Sequence, residues 1–184
     1  QSTPLQLTLM TAQLANGGNK ITPTLIPDNK KNIDIIKNEM ENNDGLNFQK
    51  EHFPLVRNKE NVKFVLDAMF KSTNEIYGTS YSSRIEDPKY QFAGKTGTAQ
   101  VKRITEAERE LDRKLEQIPY KERDHAWYIA FGPYKNPRYA LTVLVEHGGS
   151  GSSVAAPIAK KLFKKIIDRH EEREKIKTKN KFIL

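Results

Sequence analysis

Four consecutive residues offer the clearest chemistry in this 184-residue chain: Lys95, Thr96, Gly97 and Thr98. Lys95 brings a fixed positive charge, which attracts a carboxylate and lowers the cost of deprotonating a neighbouring hydroxyl. On an extended strand, Thr96 and Thr98 turn their hydroxyls to one face, where both can hold a carboxylate. Gly97 between them leaves room on the opposite face. The backbone N–H of Thr98 is placed to stabilise an oxyanion in acyl transfer, an effect of roughly 3 kcal/mol for one donor. Lys95 and Thr98 are therefore the candidate catalytic residues, and Lys95, Thr96, Gly97 and Thr98 together the candidate substrate contacts. Three residues match by chance often, so the weight lies in the context. The run from Phe92 to Val101 reads as a strand of small side chains, against which a ligand backbone can lie close and pair as an added strand.

Other reactive side chains are harder to assign. His125 has the pKa range of a general base, yet no Ser or Asp partner is evident in sequence, so it reads as structural. His147, in a turn, has the same status. Trp127 and Tyr128 either line a groove or, as hairpin aromatics commonly do, fill the core. The four histidines lack metal-ligand spacing and the chain has no cysteine. Disulfides, thiolate chemistry and Cys-based zinc sites are thereby excluded, and no metal is expected.

The elements that must position the Lys95–Thr98 strand follow from local signals. Thr3-Pro4-Leu5-Gln6 is a helix start, with Thr3 and Gln6 forming a capping box and Pro4 at the first helical position. Asn16-Gly17-Gly18 ends that helix. Thr22 to Pro27 reads as extended between prolines, and 28–60 as short strands and loops. Asn61 to Lys71 carries an apolar stripe of Val62, Val65, Leu66 and Met69, a second helix. The charged stretch Thr105 to Gln117 reads as a helix closed by Pro119. The wider segment Arg103 to Arg123 is either a solvated helix or a lid beside the strand. His125–Phe131 and Arg138–Glu146 read as an antiparallel hairpin turning at Asn136-Pro137. Apolar residues on both faces of its second strand predict helices on both sides of the sheet. Ser152-Ser153 caps a last helix with Pro157 in its first turn, and fraying is expected after Asp168.

Composition is that of a globular protein, 36% hydrophobic and 29% charged. The net charge is +8, of which +6 lies from Lys160 onward. That is a solvated tail or a surface for anionic lipid. No nucleic-acid motif accompanies it, and nucleic acid is not expected as a partner. No apolar run approaches the length of a membrane span and no signal peptide is present. Gln1-Ser2-Thr3-Pro4 leads directly into a helix without Met or leader, which reads as a cut inside a longer protein.

Ala93-Gly94-Lys95-Thr96-Gly97-Thr98-Ala99-Gln100 resembles the third active-site motif of class B penicillin-binding proteins, whose signatures include K-T-G. The flanks agree: Thr3–Leu7 with Leu14–Gly18, Asp124–Trp127 with Phe131–Pro133, and Val145–Gly149 with Ala155–Ala159. The likeness runs from about residue 3 to 167. Gln100 and the Glu146–Gly149 turn look more like the cell-elongation subclass than the septal one. The resemblance implies an α+β fold, an antiparallel sheet flanked by helices of the penicillin-binding protein/serine β-lactamase-like type, here incomplete. Residues 1–168 would be the C-terminal part of the transpeptidase domain and 169–184 a basic tail.

It implies serine acyl transfer on the D-Ala-D-Ala end of peptidoglycan stem peptides. β-Lactam antibiotics would be competing ligands and proteins of the cell-wall elongation complex the partners. No cofactor is implied. The catalytic domain would be periplasmic, on an inner-membrane anchor outside this chain. The family's nucleophile lies in Ser-x-x-Lys, and none of Ser2, Ser72, Ser80, Ser82, Ser83, Ser150, Ser152 or Ser153 has a lysine three residues on. Ser72-Thr73-Asn74 matches the second motif, Ser-x-Asn, as a string, but it falls after the Asn61–Lys71 helix, where the family has a different segment, and reads as coincidence. The nucleophile is expected upstream, and this chain alone is expected to be inactive. A septal transpeptidase, a serine β-lactamase and a non-catalytic peptide-binding module are the rival readings.

Overall fold

The computed structural model describes residues 2–24, 54–103 and 114–181, with side chains to residue 176. Among the described residues, three helices and three strands carry the architecture. Helix α1 spans Pro4–Ala15 and opens on the expected capping box. The Thr3 N–H donates to Gln6 Oε1 at 2.8 Å, and the Gln6 N–H donates to Thr3 Oγ1 at 3.2 Å. The chain leaves α1 through Gly17 and Gly18 at φ of 88° and 83°, a region open to glycine at little steric cost.

Helix α2 spans Lys59–Asn74, longer at both ends than the apolar stripe predicts. The Asn58 side chain accepts from the Glu60 N–H at 2.8 Å, which starts the helix two residues early. At the other end the buried Thr73 packs under the sheet and carries the helix through Ser72-Thr73-Asn74, which lies in its last turn rather than beyond it.

Strands β1 (Ala93–Ala99), β2 (His125–Gly132) and β3 (Tyr139–Val145) form one antiparallel sheet in the order β1-β2-β3. Ala93 pairs with Phe131 and Ala99 with His125; Ala126 pairs with Val145 and Gly132 with Tyr139. The expected hairpin is present, closed where the Arg138 N–H donates to the Gly132 carbonyl at 3.1 Å. Period-two alternation divides β2 cleanly. Ala126, Tyr128 and Ala130 face one core with Phe92, Val143, Ala155, Ala156, Ala159 and Phe163. Phe131 and Ile129 face the other, with Met69, Ala15, Leu66 and Ala140. Helix α3, Ala156–Lys181, therefore covers one face, and α1 and α2 the other. This is the helix-flanked α+β arrangement that the sequence implied.

The helix expected over Thr105–Gln117 falls largely on residues 104–113, which lie outside the described residues; its described end and the stretch to 124 make two single 3-10 turns, Leu115–Gln117 and Tyr120–Glu122. Pro119, φ −52° and ψ 136°, separates them because its ring holds it extended. The last helix continues past Asp168, where the sequence predicts fraying. It is entered through a single π turn, Gly151–Ala155, capped by Ser150 rather than by Ser152 or Ser153. It then runs unbroken to Lys181. Lys89 Nζ, 3.4 Å from Asp168 and 2.8 Å from Glu171, clamps it, together with the Tyr90 hydroxyl on Asp168. Among the described residues no helix is long and apolar enough to cross a membrane.

Candidate functional site

Among the described residues, strand β1 is an edge strand with β2 on one side only. Its backbone polarity can be read from two contacts. Lys95 Nζ donates to the Thr96 carbonyl at 2.8 Å, and Asn74 Nδ2 donates to the Phe92 carbonyl at 2.9 Å. Both carbonyls thus point away from β2. In an antiparallel ladder the N–H and C=O of one residue point the same way and alternate along the strand. Gly94, Thr96 and Thr98 accordingly present their backbone groups at the free edge, whereas Gly97 faces Trp127 within the ladder. The Thr98 N–H, the proposed oxyanion donor, is on the open side.

Small side chains at this edge answer to particular neighbours. A Cβ on Gly94 would lie 2.4 Å from the Tyr128 hydroxyl oxygen and 2.5 Å from the ring carbon that bears it. Tyr128 is fully buried. Its hydroxyl is 2.9 Å from Thr73 Oγ1 and 3.0 Å from Ser80 Oγ. Burial pushes its phenol above the ordinary 10.0, with the Ser80 and Thr73 hydrogen bonds pulling the other way, so it stays neutral at physiological pH. Of the two aromatics left open by the sequence, Tyr128 is core, and Trp127, half-buried, stands opposite Gly97. Gly151 sits over that pair: a Cβ there would be 2.4 Å from the Trp127 carbonyl and 2.6 Å from that of Gly97.

Lys95 and Thr98 are exposed, while Thr96 and Gly97 are half-buried. The Lys95 ammonium curls over the edge and also reaches Thr96 Oγ1 at 3.4 Å. From there a cavity of about 610 Å³ opens between α1, α2 and the sheet. Met10, Leu14, Val65, Met69 and Ile129 line it with apolar surface, and Lys95 stands at its border. Phe64, 75% exposed, lies on the same wall.

The sequence did not single out Thr79, which the fold brings to the same edge. Its Oγ1 is 3.4 Å from Thr96 Oγ1 and 3.1 Å from Ser72 Oγ. The available signal was Gly78. A Cβ at that position would come within 2.3 Å of the Ser72 carbonyl, so the turn after α2 must press against the helix end. In Ser72-Thr73-Asn74, the Thr73 hydroxyl is committed to Tyr128 and the Asn74 amide to the Phe70 and Phe92 carbonyls. Only Ser72 points toward the edge.

The two histidines are tied to each other. The His147 N–H donates to His125 Nδ1 at 2.9 Å, and His147 Nδ1 meets the Arg123 carbonyl at 2.9 Å. His147 takes φ 56°, uncommon outside glycine, and this pairing holds it there. Their place is the loop end of β2, so the structural assignment fits the contacts. Among the described residues no three His, Asp or Glu side chains gather as a metal site.

The family profile described as the penicillin-binding protein transpeptidase domain matches residues 1–164. Over 161 residues the chain is 36% identical to the peptidoglycan D,D-transpeptidase MrdA of Haemophilus influenzae, covering 88% of this chain and 23% of that protein. PBP2 of Helicobacter pylori, solved in complex with MreC, superposes with a TM-score of 0.65 at 31% identity, over 91% of this chain and 25% of that one. Pseudomonas aeruginosa PBP2 in complex with WCK 5153 superposes with a TM-score of 0.56 at 31% identity, over 87% and 29%. This chain spans about a quarter of the length of such relatives.

Proposed function

The chain belongs to the penicillin-binding protein transpeptidase family, and from that premise we propose that it supplies the Lys95–Thr98 strand of the substrate groove of an elongation-type peptidoglycan D,D-transpeptidase. The observation that carries this reading is the free edge of β1. It offers backbone N–H and C=O groups to an extended peptide, a cation to its carboxylate, and two threonine hydroxyls beside them. Main-chain pairing at such an edge gives affinity, and the side chains give selectivity.

The acyl donor is the D-Ala-D-Ala end of a stem peptide. A serine oxygen attacks the penultimate carbonyl, the ester forms, and the terminal D-Ala leaves with a proton. An amine of a neighbouring strand then takes the acyl group and releases the serine. Thr98 N–H steadies the oxyanion of each tetrahedral intermediate, and Lys95 holds the carboxylate and favours deprotonation of the serine. A β-lactam acylates the same serine. No serine of this chain precedes a lysine at the required spacing. The nucleophile and its lysine therefore come from outside these 184 residues. The elongation assignment rests on the MrdA relatives, and the reading places the catalytic domain in the periplasm. Helicobacter pylori PBP2 was solved with MreC, which supports a partner among elongation proteins.

The test is the intact mass of the full-length gene product after incubation with a penicillin, beside the 184-residue chain treated alike. An adduct on the full-length protein alone is expected. An adduct on the short chain would refute the placement of the nucleophile. No adduct on either would favour a peptide-binding module without catalysis.

A further inference from the structure

Thr79 has no part in the roles assigned so far, yet it is the one side chain from outside β1 whose hydroxyl reaches Thr96 among the described contacts. Its placement is fixed from both sides. Gly78 is pressed onto the end of α2, where even a methyl group would collide with the Lys71 and Ser72 carbonyls. On the other side, Ser80 donates its N–H to the Ser72 carbonyl at 3.0 Å. The Ser80 side chain is fully buried against Thr73 and the Tyr128 hydroxyl. The exposed Thr79 is thus carried by a rigid turn, and its own removal leaves the core untouched.

Hydrogen-bond bookkeeping sets the direction of the protons. Lys95 Nζ has only protons to give, so Thr96 Oγ1 accepts from it at 3.4 Å. One further lone pair remains on Thr96 Oγ1, and Thr79 Oγ1 lies 3.4 Å away with Ser72 Oγ behind it at 3.1 Å. When Ser72 donates to Thr79 and Thr79 to Thr96, both lone pairs of Thr96 are engaged. Its own proton then has one outlet, the open side of the edge. A hydroxyl so arranged is a pure donor toward an anion, and donors in a chain polarise one another.

We infer that Thr79 is a positioning residue of the groove: it holds the Thr96 hydroxyl with its proton turned outward to the carboxylate of the incoming peptide or β-lactam. The inference rests on the transpeptidase reading, since it needs an anionic ligand at the β1 edge. Thr79 touches no reacting atom; it acts through Thr96.

The experiment uses the full-length gene product and compares acylation rates by a penicillin and by the same penicillin as its methyl ester. Losing one neutral hydrogen bond of this kind is expected to slow acylation by the free acid about three- to tenfold in Thr79→Val. Thr79→Ser should restore the wild-type rate. With the ester, whose carboxylate is gone, wild type and Thr79→Val should react alike. A Thr79→Val/Thr96→Val double variant should be no slower than Thr96→Val alone, because the two groups act in series. Unchanged acylation of Thr79→Val by the free acid overturns the inference while leaving the transpeptidase reading standing, and so does an equal loss with acid and ester. Wild-type protein that takes up no penicillin overturns the transpeptidase reading itself, and this inference with it. A thermal melt of Thr79→Val matching wild type separates these results from misfolding; if that variant melts low, the Ser72→Ala protein, expected to show the same acid-selective slowing, decides.

Discussion

Adding one methyl group at Gly94 tests how tightly the groove strand is set. An alanine Cβ there would sit 2.4, 2.5 and 2.6 Å from three atoms of Tyr128. Carbon contacts are comfortable near 3.5–4.0 Å, so the ring or the strand must move by roughly an ångström. The ring has little freedom. It is fully buried, meets Phe92 edge-on at 6.4 Å between centroids, and is tied through its hydroxyl to Thr73 and Ser80. Overpacking of this sort costs about 1–3 kcal/mol, and misaligning the two hydroxyl contacts adds about 1 kcal/mol. A total near 3 kcal/mol corresponds to a fall in Tm of about 6–12 °C for a domain of 150–250 residues, and to a smaller fall if the longer full-length protein melts as one unit. Gly97→Ala is the internal control. Its Cβ would meet the Trp127 Cβ at 3.2 Å, a contact relieved by a few tenths of an ångström. That variant should melt within about 2 °C of wild type, since the lower chain entropy of alanine offsets the crowding. The assay is thermal unfolding of the full-length protein followed by near-ultraviolet circular dichroism. Equal melting of the two alanine variants would refute the claim that Tyr128 fixes the position of β1.

Three further outcomes follow from the same contacts. Thr3→Ala removes the side-chain half of the capping box on α1 and should cost about 1 kcal/mol in urea unfolding, whereas Thr3→Ser should cost little. Asp168 is held below its ordinary 3.8, first by the Tyr90 hydroxyl and then, against the opposing pull of desolvation, by Lys89. Its contribution is therefore complete above pH 3.8 and disappears as pH falls through the lowered value. Acid titration of wild type and Asp168→Asn should show a stability difference at pH 6 that closes at the acid end; a difference persisting there would sink the argument. Lys89, raised by Glu171 first, adds nothing to this window because its loss lies at alkaline pH. Lys95→Gln removes the cation of the edge while keeping a hydrogen-bonding group, and should slow penicillin acylation of the full-length protein about ten- to a hundredfold without lowering its Tm.

Local rules made the periphery of the site legible in sequence. Thr3, Gln6, Gly17 and Gly18 act through neighbours at most five residues away, so α1 is bounded as expected. The hairpin follows from period-two alternation, and its two-sided apolarity predicts the helices on both faces. What escaped depends on contacts between distant segments. The contacts that α3 makes at Asp168 and Glu171 come from Lys89 and Tyr90, some 80 positions earlier in the chain, which no stripe on the helix itself can reveal. The charged run before Pro119 has helical composition, but its described end is bent into single turns. There Leu115 packs where a Cβ on Gly149 would stand. Within the site, the K-T-G residues were legible as a motif; the partners Thr79, Ser72 and Tyr128 were not, because hydroxyls and a phenol are common everywhere and only the fold makes them converge. The tight approach at Gly94 is not legible from the motif, which names Gly97, because close approach is a property of what lies beneath.

The conformation of Lys95 ties these parts into one exchange. Its ammonium occupies the Thr96 carbonyl at 2.8 Å, the acceptor that a strand adding to β1 would use. An extended peptide arriving at that edge must offer its own N–H to Thr96 and so displace the ammonium. The cation is exposed, so the bond it gives up is screened by water and weak. The same peptide brings a carboxylate, an acceptor that forms a shorter and stronger charge-assisted bond than a neutral carbonyl. Pairing the backbone and turning the lysine from the Thr96 carbonyl to the carboxylate, with its contact to Thr96 Oγ1 kept, are thereby a single event for a ligand that carries both groups. On the proposed transpeptidase reading, the free edge favours extended peptides that end in a carboxylate.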